Sequence, residues 1–459
     1  MKLTFCWAAK VVTWSCYYIE TGSTKFLVDC GMFQWPKEIM RLNYEPFLFD
    51  PKEIDFMVLT HAHIDHCGLI PKLYKQGFKG KIYATSATID LVWIMLEDSA
   101  NIQDKNIKDE NKRRLRVNQA PRVPLYTLDD AKAVMKLFSI VEYTKEYNIT
   151  DNITARFQDA GHIMGSASIE LFITEWSKKT KLVFSWDIGQ RDTPIVQDPT
   201  LIADADYLFM ESTYGDRLHE DTAGKKELLM KYITETYKRW GKLLIPSFSV
   251  ERTQELLYFF NIIIKEWNFP DENIFLDSPL SIKATEIFKR HTEDFDEEAL
   301  HKYPHPFDFP QLKCTESIED SIKLNTYAGP CIIIAGNGMC TAGRIRQHLK
   351  HGLWNSKNTV LFVWYQAEGT LGRLIVEWVK RVKLMGIEVA VNAEIERING
   401  FSGHADSEQL MRRAKGFTQP PKKTFIIHGE WTAQTVLKSK LEWIGFTCEI
   451  PNIKDQIEL

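Results

Sequence analysis

The segment Thr60-His61-Ala62-His63-Ile64-Asp65-His66 constrains the fold of this chain more than any other. It follows an apolar run, Phe56-Met57-Val58-Leu59, that reads as a buried strand. Any fold must therefore gather three imidazoles and one carboxylate where a strand turns into a loop. Neutral imidazole and carboxylate are the natural ligands of zinc. In a tight loop His61 and His63 point the same way and can share one metal. Asp65 and His66 are displaced along the chain and can serve a second metal. A lone histidine is usually structural, but four ligand-type side chains this close together at a strand end are not explained that way.

At 459 residues the chain exceeds one compact core, so two domains are expected. A hydrophobic fraction of 44% and a charged fraction of 26% are ordinary for a soluble globular protein. No apolar run is long enough to span a bilayer, and Met1-Lys2-Leu3-Thr4-Phe5-Cys6 lacks the shape of a signal peptide. The eight cysteines are scattered and contain no CxxC, which favours free thiols in a reducing cytoplasm. A formal charge of −4 gives no overall attraction to nucleic acid. A polyanionic substrate would need a local positive groove and the metals themselves.

Short apolar segments over Leu3–Ala8, Ser15–Glu20 and Lys25–Asp29 read as antiparallel strands. Residues 85–150 read as mainly helical, with a solvated charged face over Asp104–Arg116. Strands return at Ala155–Asp159, Ser166–Ile173, Lys181–Ser185 and Asp206–Met210. From about 215 long helical stretches alternate with short apolar strands, the pattern of a parallel, doubly wound sheet. Residues 292–327, acidic and carrying Pro304, Pro306 and Pro310, read as an irregular connector. Glu388–Val391 and Thr424–Ile427 resemble the opening region again. The expected organisation is one domain, residues 1–214 and 386–459, split by a second over 215–385.

A two-metal site needs further ligands, best presented at strand ends. His162 follows the strand ending at Asp159, Asp187 ends Leu182-Val183-Phe184-Ser185, and His428 ends Phe425-Ile426-Ile427. One aspartate bridging both cations offsets their mutual repulsion.

With these residues in place the chain resembles the β-CASP branch of the metallo-β-lactamase superfamily over nearly its full length. It is most similar to bacterial ribonucleases related to the cleavage subunit of the polyadenylation machinery. His61-Ala62-His63-Ile64-Asp65-His66 matches the superfamily's HxHxDH signature, and His162 and Asp187 match its third and fourth motifs. Glu211-Ser212-Thr213, Gly403-His404-Ala405-Asp406 and His428-Gly429-Glu430 match three features of the β-CASP branch. The resemblance implies an α/β fold: a metallo-β-lactamase αβ/βα sandwich with an inserted β-CASP domain, built on a parallel sheet flanked by helices. It implies two Zn2+ per chain, one on His61, His63 and His162, the other on Asp65, His66 and His428, bridged by Asp187. Asp65, Glu211 and His404 would be catalytic, with His404 as general acid and Glu211 orienting it.

The implied reaction is hydrolysis of single-stranded RNA in a cleft between the domains, leaving 5′-phosphate and 3′-hydroxyl. Endonuclease action is expected, with 5′-to-3′ exonuclease action known in the same broad family. Ser247, Arg252, Arg344, Arg346 and Arg373 are the candidate phosphate contacts, because arginine forks match phosphate oxygens and serine can donate. A homodimer is implied by resemblance alone. A DNA-processing nuclease and a catalytically impaired scaffold are the alternative readings; His428, where DNA-processing members tend to carry valine, leans toward RNA.

The chain departs from the family in one systematic way. Trp7, Trp14, Trp35, Trp186, Trp240 and Trp364 stand where the family pattern has glycine, as do Lys10 and Glu251. A gene whose UGA codons mean glycine, translated with UGA as tryptophan, would produce the tryptophans.

Overall fold

The computed structural model describes residues 1–6, 15–22, 24–34, 37–219, 224–267, 269 and 272–459. Trp7, Lys10, Trp14 and Trp35 lie outside the described residues. The chain divides into two compact units. The first comprises Met1–Asp192, Gln197–Leu218 and His404–Leu459; the second comprises Thr193–Val196 and His219–Gly403.

The first unit is built on two seven-stranded sheets. In one, Lys2–Phe5, Tyr17–Thr21 and Thr24–Val28 run antiparallel, as their alternating pattern predicts. Phe56–Val58, Lys81–Thr85 and Phe138–Val141 then continue the sheet in parallel. The chain returns at its far end, where Gln456–Glu458 pairs antiparallel with Lys2–Phe5. In the other sheet, Glu146–Thr150, Ile153–Asp159, Ala167–Glu175 and Lys178–Trp186 form an antiparallel meander. Tyr207–Met210 and Lys423–Ile426 then add in parallel. Side chains alternate across a strand, so each sheet turns one apolar face inward. Phe5, Tyr17, Phe26, Phe157, Phe184, Phe209 and Phe425 fill a single buried core. Phe184 and Phe209 stack with centroids 4.3 Å apart. On the second sheet's other face, Val183, Leu208, Met210 and Ile426 pack with Leu410 and Leu437 from the helices Ser407–Lys415 and Trp431–Trp443. This is the expected sandwich.

The charged stretch 104–116 lies mostly in a 30-residue helix, Ser86–Leu115, whose buried residues cluster toward its first half. The expectation of mainly helical structure through 150 is corrected here. Phe138–Val141 and Glu146–Thr150 are strands, each recruited to the exposed edge of a sheet.

The second unit carries a six-stranded sheet, parallel at every pairing. Helices Lys225–Lys238 and Ile345–Gly352 pack on its strand Lys242–Pro246. Residues 292–327 are not a featureless connector. Leu312–Cys314 forms the sheet's edge strand beside Ile274–Leu276, and Ile318–Asn325 is a helix capped by Ser317. The three-residue edge strand is too short to show a hydrophobic period, which is why its pattern misleads. No described helix is long and apolar enough to cross a membrane.

Candidate metal centre

Parallel pairing in the second sheet carries three strand ends to one edge of the first unit. Trp186 pairs with Met210, and Met210 with Ile426. The residues that follow, Asp187, Glu211 and His428, therefore emerge side by side. The HxHxDH loop arrives from the first sheet, where Phe56–Val58 ends and a helical turn, Ile64–Cys67, begins. The backbones here are in close contact. A Cβ on Gly31 would lie 1.7 Å from the Asp65 carbonyl oxygen, and one on Gly189 would lie 1.5 Å from that of Gly161. Only glycine fits at such distances.

The gathered donors form two clusters. In the first, His63 Nδ1 lies 3.0 Å from His61 Nε2 and 3.2 Å from His162 Nε2. Asp187 Oδ2 lies 3.5 Å from each of those two Nε2 atoms. A tetrahedral zinc with ligands at about 2.0–2.1 Å has ligand–ligand edges of about 3.3–3.4 Å. The first cluster fits that polyhedron. In the second, His428 Nε2 lies 3.8 Å from Asp65 Oδ2, and His66 Nε2 lies 3.5 Å from Asp187 Oδ2. His66 Nε2, His428 Nε2 and Asp187 Oδ1 are buried and make no hydrogen bond. Buried polar atoms left so cost about 1–3 kcal/mol each, so three in one place mark donors shaped for a cation. The structure thus brings together His61, His63, Asp65, His66, His162, Asp187 and His428, with Asp187 next to both clusters.

Electrostatics fit metal binding. Burial holds His61 well below the ordinary histidine value and His63 down to about 4, so both are the neutral, ligating form. Burial alone would raise the Asp187 carboxyl, but His428, His66, His404 and His162 hold it well below the usual range. Burial would lower His428, yet the charges of Asp187 and Asp65 push it up to about 9. In the absence of a cation that proton offsets the two carboxylates.

A supporting residue escaped the sequence reading. Asp29, at φ +60 just after Thr24–Val28, is fully buried. It accepts from Thr60 N at 2.9 Å and lies 2.7 Å from His66 Nδ1. That contact orients the ring and leaves Nε2 for the metal. Asp29 shows the same strand-end placement that singles out Asp187, so the signal was present.

Glu211 and His404 lie beside the gathered donors and form, with Asp187 and His428, a further group whose ligand atoms lie within 4.8 Å of one another. Glu211 Oε1 accepts from Ile188 N at 2.6 Å, and Oε2 from Thr213 N at 3.2 Å. His404 Nδ1 lies 3.1 Å from Glu211 Oε1. The His404 ring sits 4.6 Å from that of His162. Burial would lower His404, but Glu211 and then Asp187 outweigh it, and its value is raised. Its side chain is 13% exposed, whereas most of the candidate ligands are nearly closed to solvent.

The three family descriptions that match divide the chain in the same order. "Metallo-beta-lactamase superfamily" covers residues 12–102, "Beta-Casp domain" 253–375, and "Zn-dependent metallo-hydrolase RNA specificity domain" 388–451. Ribonuclease TTHA0252 of Thermus thermophilus is 35% identical, over 94% of this chain and 93% of its own length. The chain belongs to the β-CASP family of metallo-hydrolases. An RNase J-like protein of Methanocaldococcus jannaschii is 32% identical over 93% of this chain and 92% of its own. Transcription termination factor FttA of the same organism is 32% identical over 94% of this chain and 67% of its own. A crystal structure of a protein of unknown function from Enterococcus faecalis shares the fold, with a TM-score of 0.57 at 11% identity. It covers 100% of this chain and 99% of that one.

The candidate phosphate contacts all lie in the second unit. Arg252 is buried and its Nη1 is occupied by Glu255 and the Phe401 carbonyl. Arg344 donates to Asp277, Thr315 O and Glu316 O. Ser247 is buried, donating to Phe248 O and accepting from Thr253. Arg373 pairs with Glu377 through Nε, and Arg346 Nη1 donates to the Thr341 carbonyl at 3.5 Å.

Proposed function

We propose that the chain is a zinc-dependent ribonuclease that hydrolyses single-stranded RNA, leaving 5′-phosphate and 3′-hydroxyl ends. The single observation that carries this reading is the pairing of a seven-donor cradle with a carboxylate-held histidine at its rim. Two zinc ions held there would supply an acidified water and neutralise charge on the phosphoryl oxygens. His61, His63 and His162 would hold one ion and Asp65, His66 and His428 the other, with Asp187 shared.

The chain's own residues supply the rest. The ribose 3′-oxygen is a poor leaving group and needs a proton as its bond to phosphorus breaks. Glu211 fixes His404 through Nδ1, so the proton offered to the leaving oxygen sits on Nε2. Glu211, followed by Asp187, raises the His404 value against burial, which favours the protonated, donating form. Glu211 is itself fixed by two backbone amides and so does not swing toward the metals. Ser247, Arg252, Arg344, Arg346 and Arg373 are the phosphate contacts of this reading; among the described residues Arg346 and Arg373 keep the most guanidinium donors open for it, while the other three also bond within their unit. Endonuclease action is the first reading of the cleavage mode, with 5′-to-3′ exonuclease action as its alternative; the names of the relatives support ribonuclease action.

The test is cleavage of labelled single-stranded RNA and DNA by wild type, His404→Ala and Asp187→Ala. RNA should be cut by wild type alone, with His404→Ala retaining metal. Equal cutting by all three would overturn the assignment; preferential cutting of DNA would favour a DNA-processing nuclease.

A further inference from the structure

Behind the Asp187–Glu211 edge lies a cavity of about 120 Å³, bordered by Ile188, Gly189, Arg191, Asp198, Arg412 and Arg413. Arg413 is buried, 2% exposed. Its Nη1 donates to Thr200 O at 2.8 Å and its Nη2 to Ser168 Oγ at 2.9 Å. Its Nε is buried and has no partner. Among the described residues no carboxylate lies within ion-pair distance of it. Burial lowers even this guanidinium, to about 10, although the charges of Glu170 and Glu211 pull the other way. A buried N–H is normally hydrogen-bonded, so the unpartnered Nε of a residue lining the cavity marks a place for an acceptor. Arg412 stands exposed on the next position with no ion pair of its own among the described residues. The cavity's one acid, Asp198, is engaged by Arg191 at 2.6 Å. Three guanidinium groups and one carboxylate line the cavity, and the carboxylate is already engaged.

We propose that this cavity is a phosphate-binding subsite, its oxyanion held between Arg412 and Arg413 with Arg191 at the rim. Guanidinium forks match phosphate oxygens in geometry and charge. The cavity wall is continuous with the candidate centre: Ile188 N donates to Glu211, and Ile188 O accepts from Ala405 N at 2.6 Å. The occupant is a phosphate of the RNA strand or a free phosphate ion. The strand source rests on the ribonuclease reading, whereas the phosphate response itself does not.

The test compares the zinc-loaded wild type, Arg412→Gln and Arg412→Lys by thermal denaturation against sodium phosphate, with sodium chloride at matched ionic strength. Phosphate bound at the metals is common to all three and cancels. Wild type and Arg412→Lys should be stabilised in a saturable way, and Arg412→Gln should need at least tenfold more phosphate. A threefold or larger rise in KM for RNA in Arg412→Gln, at unchanged kcat, identifies a strand phosphate. An unchanged KM with a lost phosphate response identifies the free ion. Identical phosphate responses in wild type and Arg412→Gln, or no response in wild type, overturn the subsite.

A second inference stands on backbone geometry. Trp176, Trp186, Trp240 and Trp378 have φ of +58, +47, +59 and +60. Trp176 opens the two-residue loop of the hairpin joining Ala167–Glu175 to Lys178–Trp186, where a tight turn favours glycine at its first position. Trp240 follows the helix Lys225–Lys238; its N–H donates to Tyr237 O, and Gly241 N to Thr236 O. Trp378 follows Leu371–Val376; its N–H donates to Ile375 O, and Val379 N to Leu374 O. Both are helix ends closed by a left-handed residue, a place held by glycine. The side chains of Trp176, Trp240 and Trp378 are largely exposed and gain little there. Trp186 is fully buried with its indole N–H unpartnered. We infer that the native chain carries glycine at these four positions, its gene using UGA as a glycine codon. Reading the gene and the masses of the peptides from the source organism decides it. UGA codons and glycine masses are expected; UGG codons or tryptophan masses at these positions overturn the inference. Trp364, at an ordinary φ, has no such conformational signature.

Discussion

Replacing Asp29 with asparagine tests how the metal centre is held without touching a proposed ligand. Asp29 is buried, and its carboxylate meets both Thr60 and His66. Burial raises its own value, and His66 pulls back against that rise. In Asp29→Asn the side-chain oxygen can still accept from Thr60 N. The amide NH2 then faces His66 Nδ1 and makes that nitrogen an acceptor, which moves the ring proton to Nε2. Nε2 is the atom that faces Asp187 at 3.5 Å and would bind the second metal. The wrong tautomer must be undone before a cation can bind. Loss of such a supporting carboxylate costs about 10–100-fold in metal affinity, or about 1.4–2.7 kcal/mol. The assay is titration of the metal-free protein against buffered zinc, with RNA cleavage at saturating zinc as control. The weaker of two binding events should move by that factor, with cleavage largely restored at high zinc. Wild-type affinity at both sites in Asp29→Asn would refute the reasoning.

Other expectations follow from the same geometry. Glu211→Gln keeps one acceptor for the backbone amides but removes the charge facing His404. Cleavage should fall by about 10²-fold with metal retained, and the alkaline limb of the rate profile should move to lower pH. The sign follows from His404 being raised by Glu211 against its burial: without that charge the acid loses its proton sooner. Zinc binding should release protons at pH 7.5, because the metal displaces one from His428, held at about 9; a proton-balance calorimetric titration in two buffers reads this. In the second unit, burial and Glu293 push Asp294 up to about 6 from 3.8. With the folded value above the unfolded one, its charge destabilises the fold progressively from pH 3.8 and fully above pH 6. Asp294→Asn should therefore gain about 1–2 kcal/mol at pH 7 and nothing at pH 3.5 in urea denaturation, the figure reduced for partial exposure.

What the sequence made legible follows from how locally each feature is written. His61, His63, Asp65 and His66 are neighbours in the chain, so their convergence needed no knowledge of the fold. His162, Asp187 and His428 could be found because each lies within three residues of a strand end, and strand ends in a sheet share an edge. Asp29 carries the same mark, yet a single aspartate after a strand is common, and its role appears only when His66 Nδ1 is seen 2.7 Å away. Leu312–Cys314 was hidden because three residues cannot express a period, and its place at the sheet edge depends on Ile274–Leu276. For Arg252 and Arg344 the sequence gives a charge but not its partner; Glu255 and Asp277 pair with them within the second unit. Arg413 is the converse case, a buried guanidinium whose unpartnered Nε became visible only in three dimensions.

The most direct measurement is anomalous diffraction at the zinc edge from crystals of the zinc-loaded protein. Two peaks about 3.5–4 Å apart are predicted, one among His61, His63 and His162 and the other among Asp65, His66 and His428, both touching Asp187. A single peak, or none at these side chains in a protein that still cleaves RNA, would contradict the account.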